Sequence, residues 1–276
     1  MRLNRVLVQG LVEAAHAAGR PVAYAVAPEA GAAAAPAATA SGSAEGTFVV
    51  VLRGQEAHHL RDVLRLGAGA PVEAFDGRGN VARGAVARAD RDGVEVELGP
   101  VSRSGAESGS RLTVAVALLK GDKLSDVIRQ GTELGVLAFV LTLTRQANVG
   151  ELSVAKLQPL GRGGETAARQ CGRATVPEVR GPLPLAELAW QGCALIADPR
   201  SELPLRDAVA AAHCDDVTVV TGPEGGFTAA EVSGLVARGA VAVSLGPRVL
   251  RAETAAPAMP AAVMRASSSG GGGREG

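Results

Sequence analysis

Residues 217–237 read VTVVTGPEGGFTAAEVSGLVA, and their three-part pattern decides the fold. The apolar run Val217–Thr221 suits a strand buried on both faces. A glycine-rich turn follows it, Thr221-Gly222-Pro223-Glu224-Gly225-Gly226-Phe227. Ala229–Ala237 then reads as a helix that Thr228 caps, with Glu231 three residues on as its capping-box partner. Strand, turn and helix in this order form the repeating unit of a parallel α/β sheet, which binds ligands at the carboxyl ends of its strands. Gly-Gly alone is an ordinary turn. The whole string in this context points to a site, because paired glycines let backbone approach a ligand without an obstructing Cβ.

The same rhythm extends to both sides. Upstream lie a buried strand at Leu112–Leu119, a helix at Lys123–Leu134 and a second strand at Val136–Leu143. A helix at 152–171 is weakened by Gly161, Gly163 and Gly164, at about 1 kcal/mol each relative to Ala. Ala194–Ala197 and Ala240–Leu245 are further strands, and Ala252–Ala262 is a closing helix. A second turn, LGPRVLRAET at 245–254, also joins a strand to a helix. Arg251 and Glu253 fall at that helix start, where Glu253 complements the helix dipole. The alternative for the two is a surface ion pair worth little.

Before residue 102 the pattern differs. Phe48–Leu52, Val72–Phe75, Val81–Ala87 and Val94–Leu98 are short apolar runs with Asp76-Gly77 and Asp92-Gly93 among the turns between them, as in a small barrel or meander. A helix at 56–66 puts Leu60, Val63, Leu64 and Leu66 on its apolar side. Arg61 and Arg65 share a face of it, either as a phosphate-contacting stripe or as a solvated surface. The adjacent His58 and His59 point to different sides, which argues against a paired metal site. Residues 102–110, SRSGAESGS, read as a linker. Residues 27–46 are nearly all Ala, Pro, Gly, Ser and Thr and read as a flexible insertion, and 267–276 as a disordered tail. The expected domains are therefore 1–103 and 111–266.

Of the 276 residues 47% are apolar but only 2% aromatic, so the core must be Ala, Val and Leu. Acids and bases balance at 28 each, so nucleic acid meets no whole-molecule attractive field, although a local patch stays open. Cys171, Cys193 and Cys214 are odd in number and form no C-x-x-C pair, which argues against a disulfide framework and against zinc. No apolar run approaches the roughly 20 residues that span a bilayer, and no secretory leader is visible, so a reducing cytoplasm is expected. The absence of G-x-x-x-x-G-K-[ST], G-x-G-x-x-G and G-x-S-x-G disfavours phosphate-loop, classical dinucleotide and triad-hydrolase chemistry.

Several strings resemble those of one family, the bacterial small-subunit (16S) ribosomal RNA (uracil-N3)-methyltransferases of the SPOUT, or α/β-knot, superfamily. They are GPEGGF at 222–227, LGPRVLRAET at 245–254, KGDK at 120–123 with TELGV at 132–136, and QCGR at 170–173 with VPEV at 176–179. In the first domain EAHHLRDVLRL at 56–66 and VEAFDGRG at 72–79 resemble the family's PUA-like domain. The resemblance implies an α/β chain with a small N-terminal PUA-like β-barrel domain and a C-terminal trefoil-knot methyltransferase domain. It also implies S-adenosylmethionine as cofactor, a homodimer with its sites at the interface, and 16S rRNA in the small ribosomal subunit as partner, with neither metal nor membrane.

Carried over by position, Thr221, Gly222, Pro223, Gly225, Gly226, Leu245, Gly246, Leu250, Ala252 and Thr254 would bind the cofactor. Arg251 would stand by the target base and stabilise uracil anion charge, with Glu224 and Glu253 orienting it. Arg5, His59, Arg61 and Arg65 would contact RNA. The general base stays open. The chain departs from the family at Arg145-Gln146, where Glu-Arg is usual, and at Arg169, where Glu is usual; Arg5 lacks the two aromatics that usually follow it. Pro257 and Pro260 fall inside the last helix, where an interior proline costs about 3 kcal/mol. These departures keep alternatives in view: a non-catalytic knotted RNA-binding protein, or a methyltransferase acting on a different RNA.

Overall fold

The short alternating runs and the long apolar runs build two separate sheets. The structure is a computed structural model and describes residues 4–17, 40–42, 46–105, 107, 111–147, 154–212 and 214–269. The chain divides into two compact units, Met1–Glu107 with Ala168–Thr175, and Ser108–Ala167 with Val176–Gly276.

The first unit contains β1 (Asn4–Leu7), α1 (Leu11–Ala17), β2 (Ala40–Gly42), β3 (Phe48–Leu52), α2 (Gly54–His58), β4 (Pro71–Phe75), β5 (Asn80–Ala89), β6 (Val94–Leu98) and β7 (Ser102–Arg103). The sheet order is β1-β4-β5-β6-β3-β2, with β7 against β5. All its pairs are antiparallel except β1 with β4. Period-two patterning decides which face is inside: Phe48, Val50 and Leu52 of β3 and Val94, Val96 and Leu98 of β6 are buried together. Within the 27–46 insertion, Ala40–Gly42 pairs with β3, while 27–39 and 43–45 lie outside the described residues.

The helix expected over 56–66 forms differently. After α2 the chain winds as a π-turn over His59–Val63, with Leu64 N donating to His59 O at 2.9 Å. The wider i→i+5 turn rotates the next side chains off the expected face. Leu60 stays fully buried, but Val63 is 59% and Leu64 38% exposed, which corrects the apolar stripe read from the sequence. The segment ends at Arg65, which has φ of +54°.

The second unit contains β8 (Arg111–Ala117), α3 (Lys123–Glu133), β9 (Ala138–Leu143), α4 (Val154–Cys171, counted with the first unit from Ala168), β10 (Glu178–Pro184), β11 (Cys193–Ala197), α5 (Leu205–Ala211), β12 (Asp216–Thr221), α6 (Ala229–Val236), β13 (Val241–Val243) and α7 (Ala252–Ser269). Its six strands are all parallel, in the order β10-β9-β8-β12-β11-β13. One face carries the larger core, in which Val114, Phe139 and Val219 meet Ile128 of α3 and Met259 of α7. The other face is covered by α6 and a short 3-10 turn at Leu185–Glu187. Helix α7 runs through both Pro257 and Pro260, and its buried Ala252, Ala256, Met259 and Val263 supply the packing that offsets the lost hydrogen bonds. Of the expected tail, 267–269 belongs to α7 and 270–276 lies outside the described residues.

Cys193 and Cys214 form a disulfide with Cα atoms 6.0 Å apart, contrary to the reading from cysteine number and spacing. Parallel neighbours begin side by side, so β11 and β12 bring the two sulfurs together across 21 residues of chain. Cys171 is free and exposed.

Because β11 sits between β12 and β13, the carboxyl ends of these three strands are neighbours.

Candidate active site

Three turns leave the carboxyl ends of β11, β12 and β13 and enclose a cavity of about 590 Å³. The first contributes Asp198 and Arg200, the second Gly222 to Phe227, and the third Leu245, Gly246 and Arg248 to Ala252. Lys123 at the start of α3 and Glu253 at the start of α7 complete the wall.

The turn after β12 is fixed at both ends. On one side Thr221 closes the parallel ladder opposite Val116. On the other, the capping box forms as expected: Thr228 Oγ1 accepts from Glu231 N at 3.2 Å, and Glu231 Oε2 accepts from Thr228 N at 2.8 Å. Glu231 Oε1 also accepts from Arg145 N at 2.8 Å. Burial pushes the Glu231 carboxyl up, but the N–H groups of Arg145 and Thr228 and the Thr228 hydroxyl outweigh it and leave the group below its ordinary value. Between the fixed ends, Gly226 N donates to Pro223 O at 2.9 Å. A Cβ on Gly225 would stand 2.8 Å from Gln146 Oε1, so this departure from the family pattern abuts the turn itself. In the third turn Gly246 has φ of +111°, a backbone region that side chains rarely enter.

The charges of the cavity are organised around Lys123. Its Nζ lies 2.8 Å from Glu224 Oε1 and 3.3 Å from Glu253 Oε2. Lys123 holds the Glu224 carboxyl below its ordinary value, helped by backbone N–H groups and opposed by burial. Glu253 is also held low, first by its own N–H at the helix start and then by Lys123. The two carboxylates in turn push the Lys123 ammonium up. Glu253 Oε2 is shielded from solvent and has no well-formed hydrogen bond; Lys123 meets it only at ion-pair distance. Asp198 is buried and clasped by Arg200, with Nε at 2.9 Å and Nη2 at 3.1 Å.

Of the residues singled out from the sequence, Glu224, Arg251, Glu253, Gly222, Pro223, Gly225, Gly226, Leu245, Gly246, Leu250 and Ala252 line this one cavity. Thr221 and Thr254 do not line it: Thr221 is buried beneath with Oγ1 unpaired among the described residues, and Thr254 faces outward on α7. Glu224 and Glu253 do not bond to Arg251 as expected, because Lys123 takes both. Arg251 and its neighbour Arg248 are exposed, and their side chains carry no hydrogen bond or ion pair among the described residues, although the Arg251 charge helps hold Glu253 low.

Sequence reasoning missed Lys123, Asp198, Arg200 and Arg248 as site residues. The Ala197-Asp198-Pro199-Arg200 turn follows an apolar run as the other two turns do, and its lack of glycine hid it.

In the first unit Arg5 turns inward. It is 9% exposed, donates from Nε to Glu73 Oε1 at 2.8 Å and from Nη1 to Arg173 O at 2.7 Å, and stacks 4.7 Å over Phe75. Such a guanidinium is unavailable to RNA, which corrects the expectation for Arg5. Arg61 is occupied by Asp62 and by the carbonyl of Asp90, at 2.6 Å. His59 is half-buried, and burial and then Arg169 lower its pKa. Arg169, at the other family departure, pairs with Glu56 at 2.6 Å. Only Arg65 of the four is exposed with no partner among the described residues.

The fold and the cavity define an RNA methyltransferase of the α/β-knot class with a PUA-like domain before it. The RNA methyltransferase domain family matches residues 106–264 and the RNA methyltransferase PUA domain family residues 52–99. The chain belongs to the ribosomal RNA small subunit methyltransferase E family. It is 35% identical over 213 residues to the Synechocystis member, covering 75% of this chain and 69% of that one. To the Mycobacterium bovis member it is 34% identical over 220 residues, covering 75% and 83%. A Legionella pneumophila methyltransferase solved with bound S-adenosylmethionine superposes with TM-score 0.76 at 25% identity, covering 96% of this chain and 98% of that one. A Neisseria gonorrhoeae ribosomal RNA small subunit methyltransferase E bound to S-adenosylmethionine gives 0.73 at 26%, covering 81% and 94%.

Proposed function

We propose that the protein methylates uracil N3 in 16S rRNA of the small ribosomal subunit, as a cytoplasmic homodimer that uses S-adenosylmethionine. One observation carries the reading: three turns from adjacent strand ends meet in a single cavity that contains nearly every residue expected to touch the cofactor. The chain fits that cofactor. Gly226, with φ of +73°, and Gly246, with φ of +111°, both line the cavity and have open space where a Cβ would stand, so backbone can approach a ligand there. S-adenosylmethionine supplies an electrophilic methyl group when bound.

The rest is work for the chain's own residues. Uracil N3–H is a weak acid, and its nitrogen needs the proton removed before it can attack. The exposed Arg251 at the cavity mouth is suited to hold the resulting anion. Fixing the base in line with the methyl can supply up to about 7–11 kcal/mol of the barrier through proximity. Residues 1–103 dock the RNA, with the free Arg65 and the half-buried His59 as the contacts that the geometry supports. Residues 111–266 carry the chemistry.

The test is transfer of labelled methyl from S-adenosylmethionine to small subunits that lack uracil-N3 methylation, followed by mass mapping. The expected product is 3-methyluridine. Methyl on another base or another RNA overturns the specificity, and no cofactor binding overturns the enzyme reading.

A further inference from the structure

A second cavity of about 590 Å³ lies in the second unit and shares no lining residue with the first. Its floor is sheet: Thr113 of β8 and Thr218 of β12 are register partners on neighbouring strands, and Val140 of β9 extends the surface. Thr218 is only 5% exposed, and neither its hydroxyl nor that of Thr113 has a hydrogen-bond partner among the described residues. A buried hydroxyl left unpaired is costly, so a ligand that bonds to it is favoured. Trp190, the only tryptophan of the chain, stands on the wall. Arg238 stacks 4.7 Å over its ring and is itself pinned by the carbonyls of Ala186 and Leu188, at 2.8 and 2.5 Å. Arg238 is not part of the lining, so it backs a ring that is fixed in place beside the cavity. The charges of the lining cancel. Arg111 grips Asp216 through two hydrogen bonds, of 2.7 and 2.8 Å, and the other two charges, Arg180 and Glu187, are opposite in sign and exposed.

We propose that this cavity binds an uncharged nucleobase, stacked on Trp190 with its polar edge on the hydroxyls of Thr113 and Thr218. A threonine hydroxyl both donates and accepts, which matches a base edge where donors and acceptors alternate. Stacking on an aromatic ring together with hydrogen bonds to the edge is how proteins hold unpaired bases. The neutral lining favours the base over a bare phosphate, which would meet no excess of positive charge. The base arrives either as a free nucleoside or as an unpaired nucleotide of RNA. No residue of the cofactor cavity takes part, so the site stands whether or not the cofactor reading holds.

The experiment follows the fluorescence of Trp190 in the full-length protein during titration with uridine, with adenosine and with a short single-stranded RNA oligonucleotide. Ribose and inorganic phosphate are the controls. With one tryptophan in the chain, the signal reports on this cavity and not on the other. The expected result is a saturable change with a nucleoside or the oligonucleotide and none with the controls. Response to the nucleosides alone assigns the free source, response to the oligonucleotide alone assigns RNA, and response to both means that the site takes a base from either. Thr218→Val keeps the fluorophore and should raise the dissociation constant about fivefold at an unchanged melting temperature. If Thr218→Val does not fold, Thr113→Val takes its place. No saturable response, an equal response to ribose or phosphate, or an unchanged constant in the valine variant overturns the proposal. So does shielding of Trp190 from acrylamide that disappears on dilution, because a second copy of the chain would then fill the cavity.

Discussion

Five arginines of the first unit and two at the mouth of the second unit's cavity are used differently. Arg5, Arg61, Arg83, Arg169 and Arg173 all end on carboxylates, and Arg5 and Arg61 on backbone carbonyls as well. Arg248 and Arg251 end on nothing among the described residues, though they line the cavity. A guanidinium that has closed its hydrogen bonds inside the protein is part of the scaffold. One left open beside a cavity is available to an anion. Residue type does not separate the two groups; partners do.

The comparison can be broken by substitution. Arg251→Ala should lower methyl transfer by about 100-fold or more, the scale of one lost oxyanion donor, with an unchanged melting temperature. Turnover at the wild-type rate would put Arg251 outside the mechanism. Arg5→Ala should do the reverse, costing about 3 kcal/mol in urea unfolding because it leaves the buried Glu73 with only the exposed Arg83 as its ion-pair partner. A stable Arg5→Ala protein with weakened RNA binding would mean that the inward guanidinium is not structural. Arg65→Ala sharpens the contrast within the first unit. Binding to a 16S fragment, followed by fluorescence anisotropy, should weaken and lose about one unit of salt dependence, while Arg61→Ala changes that slope less.

The smallest effect is one of pH. Arg61, and after it His58, hold the exposed Asp62 carboxyl at about 2, below its ordinary 3.8. A depressed carboxylate adds stability that is fully present above 3.8 and is lost as pH falls through about 2. Melting temperature should therefore fall less steeply across that interval in Asp62→Asn than in the wild-type protein. Identical slopes would show that the pair contributes nothing.

What could be read from sequence was what is local. The β12 strand, its glycine turn and the Thr228–Glu231 box depend on residues within a few positions of one another, and each formed as read. The π-turn at His59–Val63 is local too, but the 3.6-residue period that located a helix there is blind to a wider winding. Strand β10 was missed because Pro182 and Pro184 obscure it; it lies at the edge of the sheet, where proline is tolerated. Cys193 with Cys214, and Lys123 with Glu224, became partners only once the strand order was known. Fold class rests on periodicity, which is written along the chain. Much of the site's electrostatics rests on contacts about a hundred residues apart.

The Glu231 carboxylate ties one side of the cavity down at both ends. It joins the cap of α6 to the backbone of Arg145, so the glycine turn hangs between two posts, the end of β12 and the start of α6. A short span held at both ends has little travel. The opposite wall, from Gly246 to Arg251, has no comparable side-chain tie at both ends among the described residues and carries Val249 with 80% of its surface in water. A ligand seated against the glycine turn therefore meets backbone already set in place, whereas one touching Val249 covers a side chain that water otherwise surrounds.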